Sequence, residues 1–158
     1  MTELPVRSRA VAAALADAGV DGTVRELPDS ARTAAEAGAA LGVEVGAIAN
    51  SLVFWADDAP LLVLTSGRHR VDTRALASVL GKAAVARATP DQVRAATGQA
   101  IGGVAPVGHP APVETIVDVA LADYRQVWAA GGTPHTVFPT TFGELVRVTG
   151  GRPLVVGE

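Results

Sequence analysis

The chain contains no cysteine. Disulfides and thiolate metal sites are therefore excluded. Aromatic residues are scarce, at 4% of 158 positions, while 49% of the chain is hydrophobic. Alanine and valine supply most of that fraction, so the core must be built from small side chains packed closely. Basic charge is also scarce. Lys82 is the single lysine, and thirteen Lys and Arg are outnumbered by sixteen Asp and Glu, for a net charge of −3. A protein that grips nucleic acid along its length carries a basic face. General DNA binding is thus disfavoured, and any nucleic-acid contact is expected to be local, at one end of a strand. The obvious positive cluster is Arg68, His69, Arg70 and Arg74, which reads equally well as a solvated turn. No apolar run reaches the roughly 18–20 residues of a membrane span. The first residues lack the apolar segment of a signal peptide. Together these absences favour a cytoplasmic protein that engages no membrane. No two histidines stand at metal-ligand spacing, and no serine stands in a nucleophile-elbow pattern. A hydrolase of this sequence would take its nucleophile from water or from the substrate.

Against these absences, one stretch is dense in backbone chemistry. Residues 98–110 read Gly-Gln-Ala-Ile-Gly-Gly-Val-Ala-Pro-Val-Gly-His-Pro. Apolar residues between the glycines and prolines argue against a solvated linker. Gly102 and Gly103 permit positive φ and close backbone approach. Pro106 and Pro110 stiffen the loop. Amides left bare at Gly102 and Gly103 would suit an oxyanion or a phosphate oxygen. A tight turn between two strands remains the alternative, since no phosphate-loop pattern is complete.

Along the chain, residues 4–18 read as a helix stopped by Gly19. Thr23–Leu27 reads as a short strand. Thr33 and Glu36 have capping-box spacing and open a helix to Leu41. Val43–Ala47 reads as a short helical turn. Ile48–Ala56 and Leu61–Thr65 are apolar strands joined by Asp57-Asp58-Ala59-Pro60, hence a hairpin buried on both faces. Asn50 and Ser51 are then polar residues at the start of a buried strand, either bonded at the strand end or pointing into a pocket. Asp72 or Thr73 caps a helix to Leu80. Ala83–Ala86 reads as a short strand. Thr89-Pro90-Asp91-Gln92 is a helix start with cap, proline and capping partner. Val113–Val117, Gln126–Ala130 and His135–Phe138 read as strands. Asp118 closes the first of these and caps a turn from Val119 to Tyr124. Thr141 with Glu144 caps a last helix to about Val148. The tail after Gly150 reads as loose, with Leu154–Val156 as an edge-strand candidate. His109 and His135 are acid–base candidates near neutral pH, though a lone histidine is more often structural. The whole is a mixed α/β (α+β) pattern with at least one hairpin, read as a single domain over 1–158.

The order of these pieces resembles the YbaK/ProX family of free-standing aminoacyl-tRNA editing domains. The resemblance rests on Ile48-Ala49-Asn50-Ser51-Leu52-Val53-Phe54, Leu62-Val63-Leu64-Thr65-Ser66-Gly67, Arg70-Val71-Asp72 and Thr97-Gly98. Above all it rests on Gly102-Gly103-Val104-Ala105-Pro106-Val107-Gly108, against the family's Gly-Gly-Val-Ser-Pro-x-Gly. Asp118 and the Ala129-Ala130-Gly131-Gly132 turn also fit. The match covers roughly residues 30–148. It implies a mixed, largely antiparallel sheet flanked by helices. It implies hydrolysis of the ester between a wrong amino acid and tRNA, often tRNA for proline, with no metal and no cofactor. The partner is the aminoacylated 3′ end of tRNA; a homodimer is left open. The implied reacting groups are the Gly102 and Gly103 amides, Asn50 and His135. Ser51, Thr65, Arg70, Val104, Ala105, Pro106 and Gly108 would bind substrate.

Two positions depart from the family pattern. Asn50 stands where the family carries lysine, and Ala105 where it carries serine. Asparagine can hydrogen-bond a hydroxyl or carbonyl but brings no charge. Losing a charged hydrogen bond costs about 1.5–3 kcal/mol. The sequence therefore leaves three outcomes open: a shifted substrate, a slow enzyme, or a charge moved elsewhere, with Arg68 and Arg70 as candidates. A catalytically degenerate module binding tRNA ends, a nucleotide or a partner protein is the competing class.

Overall fold

The computed structural model describes residues 6–28, 33–99 and 102–157. Eight strands form one mixed sheet in the order β1-β7-β6-β2-β3-β5-β8, with β4 pairing β2. They are β1 (Arg25–Glu26), β2 (Ile48–Ala56), β3 (Ala59–Ser66), β4 (Val85–Arg87), β5 (Glu114–Asp118), β6 (Val127–Ala130), β7 (Thr136–Thr140) and β8 (Arg152–Leu154). Five helices flank it: α1 (Val6–Asp17), α2 (Ala34–Leu41), α3 (Thr73–Leu80), α4 (Pro90–Thr97) and α5 (Phe142–Thr149). Short 3-10 turns occupy Val45–Ala47 and Val119–Asp123.

The β2–β3 hairpin is the spine. Its antiparallel register runs from Ala49 opposite Ser66 to Ala56 opposite Ala59. Side chains alternate between the two faces. One face carries Ala49, Val53, Leu62, Leu64, Val117, Ala129 and Phe138, covered by Val11 and Leu15 of α1, Val93 of α4 and Leu145 of α5. The other carries Phe54, Leu61, Val63 and Ile116 under Leu76 of α3. Ile48, Trp128 and Val137 lie on that same face under Ala37 of α2. Both faces are covered over most of their length, which is why the hairpin reads as continuous apolar runs rather than alternation.

The helix starts follow local chemistry. Thr33 with Glu36, and Thr89 with Gln92, form reciprocal capping boxes. Asp72 and Thr141 cap α3 and α5. Gly42, Gly81, Gly98 and Gly150 end four helices in the left-handed conformation that glycine adopts without steric cost.

Several expected boundaries shift. The strand expected at Thr23–Leu27 narrows to two residues, paired with β7. The short strand expected at Ala83–Ala86 forms at Val85–Arg87. The tail is not loose: Arg152–Leu154 pairs parallel to β5, and the buried Val156 seals the α3 face. Pro153 and the Gly150-Gly151-Arg152 run before it hid this strand from a propensity reading. The start of the first helix at residues 4–5, and Ala100 and Ile101 of the glycine stretch, lie outside the described residues.

Candidate functional site

On the side of β2 away from β3, the ladder is interrupted. β6 pairs in parallel only with Ile48 and Ala49. β4 pairs antiparallel only with Phe54, Trp55 and Ala56. Residues 50–53 between them have no ladder partner on that side. Val53 C=O accepts from the Ala88 N–H. Backbone polar groups of alternate residues point the same way, so the N–H and C=O of Ser51 lie along this open edge too.

A cleft of about 220 Å³ occupies the gap. Asn50 and Ser51 form its strand side, with Ile48, Leu52 and Val53. Gly102, Gly103 and Val104 form the opposing loop side, with Thr133 and Pro134. Trp128, Ala130 and Val137 come from β6 and β7, Ala34 and Ala37 from α2, and Arg87 from β4. The small α2 residues keep room open where larger ones would fill it.

The two adjacent glycines have different jobs. Gly102 has φ +91 and open space where a side chain would be. Gly103 instead presses on the β6–β7 turn: a Cβ there would stand 2.7 Å from Thr133 Cα. The loop beyond is braced by side chains. Gln99 Oε1 accepts from the Ala105 N–H at 2.7 Å, and Gln99 Nε2 donates to Val107 C=O at 3.2 Å. His109 Nε2 donates to Ala105 C=O at 2.8 Å. Both polar groups of Ala105 are thus engaged. Among the described residues, neither Gly102 nor Gly103 uses its amide in a hydrogen bond. The arrangement brings a braced loop without side chains at Gly102 and Gly103 to the same cleft as the polar start of a buried strand. That can hold an acyl oxygen and the polar end of a ligand.

Burial lowers the His109 pKa below its usual value, against the opposing pull of its bond to Ala105. A neutral imidazole clamping the loop fits a structural role. Ser51 Oγ and Trp128 Nε1, both on cleft-lining residues, are buried with no hydrogen-bond partner among the described residues, as is His135 Nδ1.

The expected site residues divide accordingly. Asn50, Ser51, Gly102, Gly103 and Val104 come together in the cleft. His135 sits between the lining residues Pro134 and Thr136 but does not itself line the cleft. Its carbonyl accepts from the Leu27 N–H. Ala105 and Pro106 are buried behind the loop, and Gly108 packs on Val11 and Gln99. Thr65 faces Asn50 in register, yet its hydroxyl points to Asp118 and the Ser66 carbonyl. Arg70 lies against the C-terminal segment, with its carbonyl beside Gly157. Arg68 is held by Asp123 at 2.7 Å and Tyr124 at 3.0 Å. Neither arginine lines the cleft, so neither stands in for a charge at residue 50. Arg87 lines it instead, stacked on Phe54 at 5.7 Å. Sequence reasoning missed Arg87, Trp128 and the brace Gln99. The proximity of Gln99 to the glycines was the only available signal.

The second buried centre is Asp118. Its carboxylate accepts from the Ser66 and Ala120 N–H groups, both at 2.9 Å, and from Thr65 at 3.4 Å. His69 Nδ1 lies 3.0 Å away. This cluster ties β3 to β5 and does not open on the cleft.

Comparison with known proteins adds the following. A family model described as an aminoacyl-tRNA editing domain matches residues 28–148. The chain is 31% identical over 123 residues to the uncharacterized protein YwhH of Bacillus subtilis, covering 77% of this chain and 78% of that one. It is 36% identical over 101 residues to a proline–tRNA ligase of Nitratidesulfovibrio vulgaris, spanning 64% of this chain but only 16% of the ligase. A crystal structure of a protein provisionally assigned as a trans-editing enzyme for prolyl tRNA synthetase superposes with a TM-score of 0.93, at 43% identity and 99% coverage of both chains.

Proposed function

The chain belongs to the aminoacyl-tRNA editing domain family, and from that premise we propose how it removes a wrong amino acid from tRNA. The protein is an aminoacyl-tRNA deacylase: it hydrolyses the ester joining a mischarged amino acid to the terminal ribose. The observation that carries the site assignment is the shared cleft. Gly102 and Gly103 line the same cleft as Asn50, at the interrupted edge of β2.

The aminoacyl-adenosine end enters between loop and strand. Water attacks the ester carbonyl carbon. The oxyanion that develops is held by the Gly102 and Gly103 N–H groups. Asn50 hydrogen-bonds the terminal ribose or the amino acid, and Ser51 borders the acyl group. The C–O ester bond then breaks, the proton from water ends on the ribose oxygen, and a free amino acid leaves. Bare amides on a braced loop need no reorganisation as charge develops, which is the condition for such stabilisation. The small α2 residues and the modest volume suit a small acyl group. Size discrimination supplies about 1–3 kcal/mol per methylene.

We assign tRNA for proline as the substrate tRNA, on the likeness to the prolyl-tRNA editing structure and ligases, and place the reaction in the cytoplasm. No described helix is long and apolar enough to cross a membrane. The test is deacylation of a panel of tRNAs carrying small wrong amino acids. Release well above the uncatalysed rate is expected for at least one. No release from any of them would overturn the reading. It would favour the degenerate module that Asn50 in place of lysine otherwise suggests.

A further inference from the structure

Two arginines sit on the same face of the sheet, one lining the cleft and the other stacked on a tryptophan that lines it. Arg87 is directly opposite Phe54 on β2 and stacks over its ring at 5.7 Å. Arg25 on β1 stacks over the Trp128 ring at 4.7 Å, and Trp128 is opposite Ile48. Register places them together: Arg25 faces Val137, Val137 faces Ala130, and Ala130 shares the face of Trp128. Asn50 is on the same face, to the β2 side of both, since Ile48, Asn50 and Phe54 lie at even spacing on one strand. Both guanidinium groups are exposed. Among the described residues neither forms an ion pair.

Each guanidinium is thus oriented by an aromatic platform while its donors remain available. By register Arg25 stands level with Ala130, two residues beyond the Trp128–Ile48 pair, and Arg87 level with Phe54, so about four residues along the strands and two strand spacings across separate their backbones, roughly 16 Å at the usual spacings. That is several nucleotides even at the duplex rise of about 3.4 Å. One phosphate cannot touch both arginines. A short single strand crossing this face can touch both.

We propose that Arg25 and Arg87 form a phosphate rail. The single-stranded 3′ end of tRNA runs across this face, its phosphates meeting the two arginines in turn and its terminal ribose lying beyond them at Asn50. The inference rests on the deacylase reading for the identity of the strand, and it deepens that reading. On a chain of net charge −3, a polyanion can be held only at local sites. Two rigid cations on one face of an acidic protein meet that need. Arg87 also answers the missing lysine: the positive charge stands on a neighbouring strand.

The test is binding of uncharged tRNA across a salt series. Each phosphate contact to a single strand contributes about 0.7 to the slope of log K against log salt. R25Q and R87Q should each flatten the slope by about 0.7 and weaken binding several-fold at low salt, and the double variant by about 1.4. R87K should restore most of the slope. R152Q, an exposed arginine on β8, controls for net charge. An unchanged slope in the double variant overturns the rail, as does equal flattening in R152Q. Because this tRNA carries no amino acid, the result does not depend on ester cleavage. Flattened slopes without deacylation would sink the enzyme reading and keep the rail. Deacylation with unchanged slopes would do the reverse.

Discussion

Gly103 and Thr133 pack backbone to backbone, with no room for a side chain between them. This contact sets the distance between the glycine loop and the β6–β7 turn, and so the mouth of the cleft. G103A must push the loop away from the turn. We expect a stability loss of about 2 kcal/mol or more and a loss of deacylation beyond what the unfolded fraction explains. G102A meets no atoms but must hold φ +91, at a cost of about 1–3 kcal/mol. Urea unfolding of both, beside initial deacylation rates, checks this. Two equally mild variants would contradict the different roles of the pair.

Asn50 makes neutral hydrogen bonds in this proposal. N50A should lower kcat/KM about twofold to thirteenfold, the range of about 0.5–1.5 kcal/mol for one such bond, with little change in Tm. N50K adds a cation to a cleft that already holds Arg87, and activity should fall. A large gain on N50K would mean that the wild-type site is catalytically degenerate.

The His109 clamp gives a pH signature. Unfolded, the imidazole titrates near 6.5; folded, burial holds it lower. Between those values the unfolded chain binds more protons, so stability falls as pH drops through 6.5 and levels off below the folded value. H109Q removes the titrating group and should shrink this component. Urea midpoints at about pH 7.5 and about pH 5 for both proteins measure it. An equal pH difference in the two would exclude His109 as the source.

Asp118 is a structural hub by its contacts. D118A strips partners from two buried N–H groups and the Thr65 hydroxyl. With about 1–3 kcal/mol per unsatisfied buried group, we expect at least about 3 kcal/mol of destabilisation. At this chain length that lowers Tm by roughly 6–12 °C. A thermal melt decides it. A stable D118A without activity would instead make the carboxylate part of the chemistry.

The hairpin, the capped helices and the glycine loop were legible in the sequence because their signals are local. Thr33 with Glu36 and Thr89 with Gln92 each declare a helix start within four residues. The pairing of Asn50 with Gly102 and Gly103 was legible only through a family resemblance, since nothing local links them. Arg87 was not legible at all. It is one exposed arginine in a three-residue strand, and its place depends on which edge of β2 that strand joins. Arg70 and Thr65 looked like site residues because they flank recognisable motifs, yet their contacts go to the C-terminal segment and to Asp118.

The break in the β2 ladder separates two tasks within one strand. Toward β3, eight consecutive pairs make the hairpin cohesive regardless of what happens opposite. Toward β4 and β6, four residues are released from cohesion and made available to cargo. Lengthening or sliding the three-residue β4 would resize the receptacle without unzipping the spine, so a descendant of this chain can trade one acyl group for another while folding by the same route.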